Sequence, residues 1–444
     1  MKNKAKCLFL ILYFFFLSNS YAQTFLTFEE CINLAFKNNL NVKNAQLSEE
    51  IAKYQQKGAI TKLLPTVSGS VSNNYSWGRG IDPSTNTFVN QEFKSYSGGL
   101  NSGINLFSGF QNINSIELAK QELETNKTTI QKIKNEIVIE IATKYTNIIY
   151  LKEIIKSNEE QIKSTQKQLE LNQSKFELGY IPESDIFKIK SQLANEQLTL
   201  TNNINQLSIN ELDLKQLINI PYTEDITLEP IKEKLFSKLN IDKNDESTIN
   251  KALEQNPAYQ LTLINQKKSK INIALSRAVL YPSLNASFGI NSAYSNNNTF
   301  FNFNEQINNN LAYGLSFSLS IPIFNQFQNR FKVKENKLNY QKTLIDTDIE
   351  KNRLSKVVIQ AINDANASFS KYESSLSALE FSEKSYQADL LKLELGKIST
   401  NEFINTKNIY INNQAELIRS KYELMFNQSL VKFYLENNFE FFEL

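Results

Sequence analysis

The chain has 444 residues and no histidine. That removes the side chain most often used as a general base or metal ligand near neutral pH. Of its two cysteines, Cys7 falls in an apolar leader and Cys31 is left alone, so no disulfide or paired thiolate site can be built in the mature chain. Gly78-Arg79-Gly80 is too short for a phosphate-cradling loop and lies between two strand-like runs. What remains is carboxylate chemistry, and its residues sit on long helical stretches, where most are solvated-face charges. No catalytic residue, metal site or cofactor is expected, and the chain does not read as an enzyme. The 48 Lys+Arg against 46 Asp+Glu leave no basic excess for nucleic acid.

The elements that carry these residues follow from three patterns. Residues 1–22 read as a secretory signal: Lys2, Lys4 and Lys6, the 11-residue apolar run Cys7–Leu17, then Ser20-Tyr21-Ala22 as a small-x-small cleavage site. A retained anchor is the competing reading, but the run is too short to span a bilayer, and no other segment approaches the roughly 18 apolar residues of a membrane helix.

The second pattern is strict alternation, which predicts strands over 65–77, 94–107, 282–294 and 311–323. In the first, Val67, Val71, Tyr75 and Trp77 oppose Ser68, Ser70, Ser72 and Asn74. A soluble sheet and an outer-membrane barrel both alternate in this way. The length of each run, the aromatics at the strand ends (Tyr75, Trp77, Tyr96, Tyr294, Tyr313), the long polar loops and the small uncharged polar face favour the barrel. Four strands cannot close alone, and open edges are not tolerated in lipid, so other copies must complete them.

The third pattern is duplication. Leu178-Gly179 recurs as Leu395-Gly396, 217 positions later, and the same offset relates Ile32-Asn33 to Ile249-Asn250, LLPTVSGS to LYPSLNAS, and LFSGFQN to IFNQFQN. The first repeat is placed at 23–218, an irregular link at 219–246, the second repeat at 247–435 and a tail at 436–444. Each repeat is expected to run as a short helix, two strands and two long helices. A seven-residue apolar period leads into and out of each Leu-Gly pair, for example Ile141, Ile148, Ile155, Ile162, Leu169 and Phe176. Each pair is therefore the tip of a helical hairpin, with the glycine in left-handed conformation past a helix end. Ser184 or Asp185, and Thr400 or Asn401, are the expected caps of the outgoing helices. An unbroken helix from about Ile113 to Leu178 would be roughly 100 Å long.

This ordered, duplicated set resembles the outer membrane efflux protein family over essentially the whole mature chain. The residues that carry the likeness are LTFEECINLAFKNN and its echo STINKALEQNP, LLPTVS and LYPSLN entering the strands, NLFSGFQN and PIFNQFQN leaving them, and the tips ELGYIPESD and ELGKISTNE. The resemblance implies a mixed α and β membrane protein of the outer membrane, extending into the periplasm. In it, long antiparallel helical hairpins form an α-barrel tunnel, and four strands per chain join a shared twelve-stranded barrel in a homotrimer. It implies a channel component of a tripartite efflux or type I secretion system, working with a periplasmic adaptor and an inner-membrane transporter. The alternative is an exported coiled-coil scaffold with a soluble sheet. Adaptor contact is expected at Leu178, Gly179, Tyr180, Ile181, Leu395, Gly396, Lys397, Ile398 and Ser399; Tyr180 and Pro182 depart from the small or hydroxyl residues usual after such a tip. Because an open duct would leak, a periplasmic constriction is expected near the second tip. Glu380, Glu383 and Asp389 could form carboxylate rings there, with Tyr386 as a steric plug.

Overall fold

The computed structural model describes residues 25–81, 86–90, 92–231, 237–239, 241, 246–437 and 439. The expected leader 1–22, part of the expected link and most of the expected tail lie outside these. The elements in order are β1 Phe25–Leu26, α1 Phe28–Asn38, α2 Leu40–Thr61, β2 Thr66–Ser76, β3 Arg79–Ile81, β4 Phe88–Asn90, β5 Phe93–Ser108, α3 Gln111–Glu177 and α4 Glu183–Ile218. Then come β6 Thr227–Leu228, α5 Glu246–Gln255, α6 Pro257–Ala278, β7 Ser283–Ser295, α7 Phe303–Asn309, β8 Ala312–Ser320, α8 Gln328–Glu394 and α9 Thr400–Glu436.

The duplication is visible in the bounds themselves. Shifting α2 and α3 by 217 gives the limits of α6 and α8, and shifting the start of α4 gives the start of α9. Both α3 and α8 have 67 residues. Even the left-handed backbone repeats: Gly109 and Phe110 have φ of 60° and 69°, and Gln326 and Phe327 have 57° and 61°. One helix per repeat was not foreseen. α2 and α6 extend the single short helix expected before the strands. The chain breaks between α1 and α2 at Asn39, whose Oδ1 accepts from the Asn41 and Val42 amides; in the second repeat Pro257 opens α6.

The chain divides into two compact units, each drawing on both repeats. One comprises 1–44, 130–256 and 352–444. Its core gathers Phe28, Cys31, Val42, Ile141, Tyr145, Ile148, Leu214, Ile218 and Met425. α1 enters this core through a capping box: Thr27 Oγ1 accepts from the Glu30 amide at 3.1 Å, and Glu30 Oε2 accepts from the Thr27 amide at 2.9 Å. The Tyr145 hydroxyl donates to the Glu229 carbonyl at 2.6 Å, fixing β6 beside its parallel partner β1. Burial pushes the Cys31 thiol up to about 12, with Glu30 adding to it. Cys31 is therefore inert as a nucleophile.

The second unit, 45–129 and 257–351, holds an antiparallel sheet in the order β2-β5-β7-β8. Ser72 pairs with Ser97, Leu100 with Ile290, and Ala286 with Phe317; a bulge lies between Asn105 and Phe107. The strands match the expected runs to within one residue except the last. β8 stops at Ser320, not 323. Pro322 has no N–H to give, and among the described residues nothing pairs with that edge.

Both faces of the outer strands are bare. Val71 is 89 % exposed and Trp77 73 %, and every residue of β8 is exposed. A soluble sheet buries one face against something, and a barrel strand shows its apolar face to lipid instead. Tyr75 stacks on Trp77, and Tyr96, Tyr294 and Phe303 cluster near the same end of the sheet, as aromatics do at a membrane interface.

Candidate functional site

The two hairpin tips are built by one hydrogen-bond pattern used twice. At the end of α3, the Gly179 amide donates to the Phe176 carbonyl at 2.8 Å and the Tyr180 amide to Lys175 at 2.9 Å. At the end of α8, the Gly396 amide donates to Leu393 at 3.1 Å and the Lys397 amide to Lys392 at 2.8 Å. This crossed pair is the Schellman motif, which satisfies the last carbonyls of a helix and needs a left-handed residue at its centre. Gly179 has φ +77° and Gly396 φ +68°, and a Cβ on either would meet nothing. Backbone conformation, not crowding, selects glycine at both tips.

The tips present apolar surface. Leu178, Tyr180 and Leu395 are each more than two-thirds exposed, Lys397 is exposed, and Ile181 and Ile398 are half-buried. The outgoing helices do not start as expected. α4 begins after Pro182, with no side-chain cap, because Pro182 itself supplies the extended entry and Asp185 is engaged elsewhere. α9 is capped by Ser399, whose Oγ accepts from the Glu402 amide at 3.2 Å, not by Thr400 or Asn401. Thr400 is buried and donates to Asp185 Oδ2 at 2.8 Å, tying the second tip to the first. Partial burial acts to raise the Asp185 pKa, but Lys188 and Thr400 outweigh it and hold the carboxyl below its ordinary value.

Of the residues expected at a constriction, all four lie on α8. Glu380 pairs with Lys384 at 2.7 Å, and Asp389 with Lys392 at 2.7 Å. Asp389 also accepts from Thr406 Oγ1 at 2.8 Å. The contact of Glu383 is with neutral Gln387, at 3.5 Å. Tyr386 stacks flat on Tyr410, with centroids 5.0 Å apart, and tilts against Phe403.

Sequence reading missed the most buried charges. Lys407 on α9, Glu196 on α4 and Thr165 on α3 are almost wholly enclosed. Lys407 Nζ lies 3.4 Å from Glu196 Oε1 and donates to Thr165 Oγ1, and Thr165 Oγ1 donates to Glu196 Oε2 at 2.5 Å. Burial drives the Lys407 pKa down, against the pull of Glu196.

A sequence model of the outer membrane efflux protein family matches residues 31–219 and 248–429, one stretch in each repeat. The chain belongs to the outer membrane efflux protein family. Its members are channel proteins of the outer membrane, which fixes this chain's location and places it outside the enzymes. No curated protein sequence matches. Among solved structures, CusC, described in connection with transmembrane channel formation, superposes with TM-score 0.80 at 16 % identity, covering 94 % of each chain. The Campylobacter jejuni CmeC outer membrane channel gives 0.80 at 17 % identity over 94 % of this chain and 87 % of its own. The Vibrio cholerae outer membrane protein VceC gives 0.80 at 13 % identity, over 93 % and 97 %. At these identities the likeness shows the shared fold: hairpin helices with barrel strands. The reading as a scaffold with a soluble sheet has no support beside it.

Proposed function

We propose that three copies of this efflux-family chain form one channel, closing a twelve-stranded barrel through β8 of each copy and β2 of the next. The observation that carries this is the match between exposure and duplication. Within the chain, β5 pairs with β7. Carried forward by the repeat offset, that pairing becomes β8 against β2 of a neighbour, and these are the two free edges of the sheet. It also sets the register: Asn101 opposite Gly289 becomes Ser318 opposite Ser72, and Ser102 opposite Phe288 becomes Leu319 opposite Val71.

The helices of the same unit agree. α3 meets α6 within the chain, where Lys268 pairs with Glu122 at 2.6 Å. The equivalent faces, on α8 and α2, are apolar and exposed: Phe331, Leu338, Ile345 and Ile349 on one, Leu47, Ile51 and Tyr54 on the other. Their in-chain equivalents Ile264, Lys268 and Ile271 are half-buried. Each such side chain contributes about 1.5–3 kcal/mol when fully buried, so a neighbour that covered all seven would be held firmly. The experiment is oxidation of the Ser72→Cys, Ser318→Cys chain, with Cys31 buried and silent. Opposed antiparallel residues have Cα atoms about 4.5–5.5 Å apart, within disulfide range. Covalent trimers are expected, and a chain that stays monomeric sinks the proposal.

The exposed tips are proposed as the contact for a periplasmic adaptor, through which an inner-membrane transporter delivers its cargo. Supporting this, Leu178, Tyr180 and Leu395 are large apolar side chains held in the open by turns that need only glycine backbone. Lys397→Glu is expected to leave the trimer intact and to reduce crosslinking to the adaptor. Unchanged crosslinking and transport would make the tips purely structural.

The periplasmic constriction is proposed to include Glu380, Glu383, Tyr386 and Asp389, with unequal weights. Lysines already balance Glu380 and Asp389, which leaves Glu383 as the carboxylate that would set cation preference. In planar bilayers, Glu383→Gln is expected to lower cation-over-anion preference by roughly twofold, and Glu380→Gln or Asp389→Asn by less. Equal effects of all three would remove the distinction.

A further inference from the structure

The sheet has two faces of different chemistry. Ser70, Gly99, Asn291 and Ala312 lie in one row across β2, β5, β7 and β8. Every second residue from that row, along Thr66–Asn74, Ser95–Asn105, Ser283–Ser295 and Ala312–Ser320, is a glycine, alanine, serine, threonine or asparagine. Side chains of this face meet one another across the strands. Ser72 Oγ lies 2.6 Å from Ser97 Oγ, Ser287 Oγ lies 2.7 Å from Ser316 Oγ, and Asn105 donates to Asn285 at 2.8 Å. The face behind it carries Val71, Leu100, Phe288 and Leu315, the side that meets lipid in a barrel.

The four strands contain one charged residue, Lys94. It falls in the row of Tyr75, on the lipid side, with its ammonium 5.2 Å from the Tyr75 ring centre and 3.9 Å from Glu92. In a chain with 48 Lys+Arg and 46 Asp+Glu, the small-residue face therefore carries none over these spans.

Channels that select by charge put rings of charged side chains on the bore. In a trimer each charged lumen residue would become a ring of three. Hydroxyl and carboxamide groups both donate and accept, so they turn either end of their dipole to a passing solute. Charges beyond the strands are damped. The 11 residues of β2 rise roughly 35 Å, and the Debye length is about 10 Å at 0.1 M salt, so mid-strand positions lie out of reach of charges at either end.

We infer that the barrel is a charge-blind outlet. It passes anionic, cationic and zwitterionic polar cargo alike, and the channel's charge preference is set by its helices, not by its sheet. This rests on the trimer proposed above.

The test uses Ser70→Cys channels in planar bilayers at about 0.1 M salt. Ser70 is exposed at mid-strand, and Cys31 is buried and silent. An anionic and a cationic methanethiosulfonate are applied, and the ratio of their rates is divided by the ratio for a free thiol. A result within about twofold of one is expected, since a lumen without fixed charge concentrates neither reagent. Asn291→Asp in the same chain keeps the shape and puts three carboxylates on the row, about 10 Å from the thiols. It is expected to shift the ratio more than about twofold towards the cationic reagent. The Ser72→Cys, Ser318→Cys disulfide reports assembly separately. If it links three chains, the inference alone is overturned by any of three results: a Ser70→Cys ratio outside the twofold range, a thiol that neither reagent reaches, or no shift with Asn291→Asp. If it links none, the trimer falls and takes the inference with it.

Discussion

Glu196→Gln destabilises the hairpin unit by about 3–5 kcal/mol, because it strands the Lys407 ammonium in a dry site. Lys407 is only 3 % exposed, and its partners are Glu196 and Thr165. Gln in place of Glu keeps the shape and the hydrogen bond from Thr165 but removes the countercharge. The double variant Glu196→Gln, Lys407→Met removes the charge from both and is expected to recover most of the loss, since a buried ion pair and a well-packed apolar replacement are often close in energy. The unfolding midpoints of the two variants measure the difference. If the single variant unfolds with the wild type, the pair is not buried in the assembled protein.

The same lysine sets a pH dependence. Folding lowers the Lys407 pKa, so over the interval from its folded value up to the ordinary 10.5 the unfolded chain binds more protons. Stability contributed by this group therefore rises with pH through that interval, and the full penalty is present below it. Loss of Glu196 deepens the depression, so Glu196→Gln should gain more than the wild type when pH is raised from neutral toward 10.

Gly109→Ala is the second large effect. A Cβ there would lie 2.2 Å from the Ala278 carbonyl oxygen and 2.8 Å from Tyr281 Cβ, and φ is +60°. Overpacking against backbone adds to the left-handed strain, for a cost of about 3 kcal/mol or more. The matching position in the second repeat is Gln326, also at positive φ, where a side chain is already accommodated. Gln326→Ala is expected to cost less than about 1 kcal/mol. The yield of folded protein in the outer membrane reads both. Equal yields for the two alanine variants would show that the α6 end does not close on Gly109. The asymmetry has a structural meaning. Gly109 packs against the end of α6 within the chain, whereas Gln326 carries its side chain at the same backbone conformation.

Much of the fold was legible because its signals are periodic. Alternation marked the four strands, a constant offset marked the repeats, and glycine marked the two tips. What escaped notice had masked periodicity. α2 buries the small residues Ala45 and Ala52 together with Val42, and its larger apolar residues Leu47, Ile51 and Tyr54 point outward. Its strongest apolar signal therefore lies on the face turned away from the chain's own core. Lys407 looked like any other charge on a helix, since nothing in one sequence tells a buried ammonium from a solvated one. Its partner was visible only as a polar interruption, with Asn203 and Asn210, between apolar heptad positions. The structure gives such interruptions work: Asn203 Nδ2 donates to Asn158 Oδ1 at 2.8 Å, and Glu196 meets Lys407. The caps were misplaced for a local reason. Asp185, a good cap by type, is held by Thr400 and Lys188 instead.

The central claim is that this efflux-family chain works as a closed trimer in the outer membrane, with its free strand edges satisfied by copies of itself. The most direct test is the mass of the mature protein extracted from membranes in mild detergent and weighed intact. Three chains per particle, recovered from the outer-membrane fraction, are predicted. A single chain per particle, or recovery from the soluble fraction after leader removal, would contradict it.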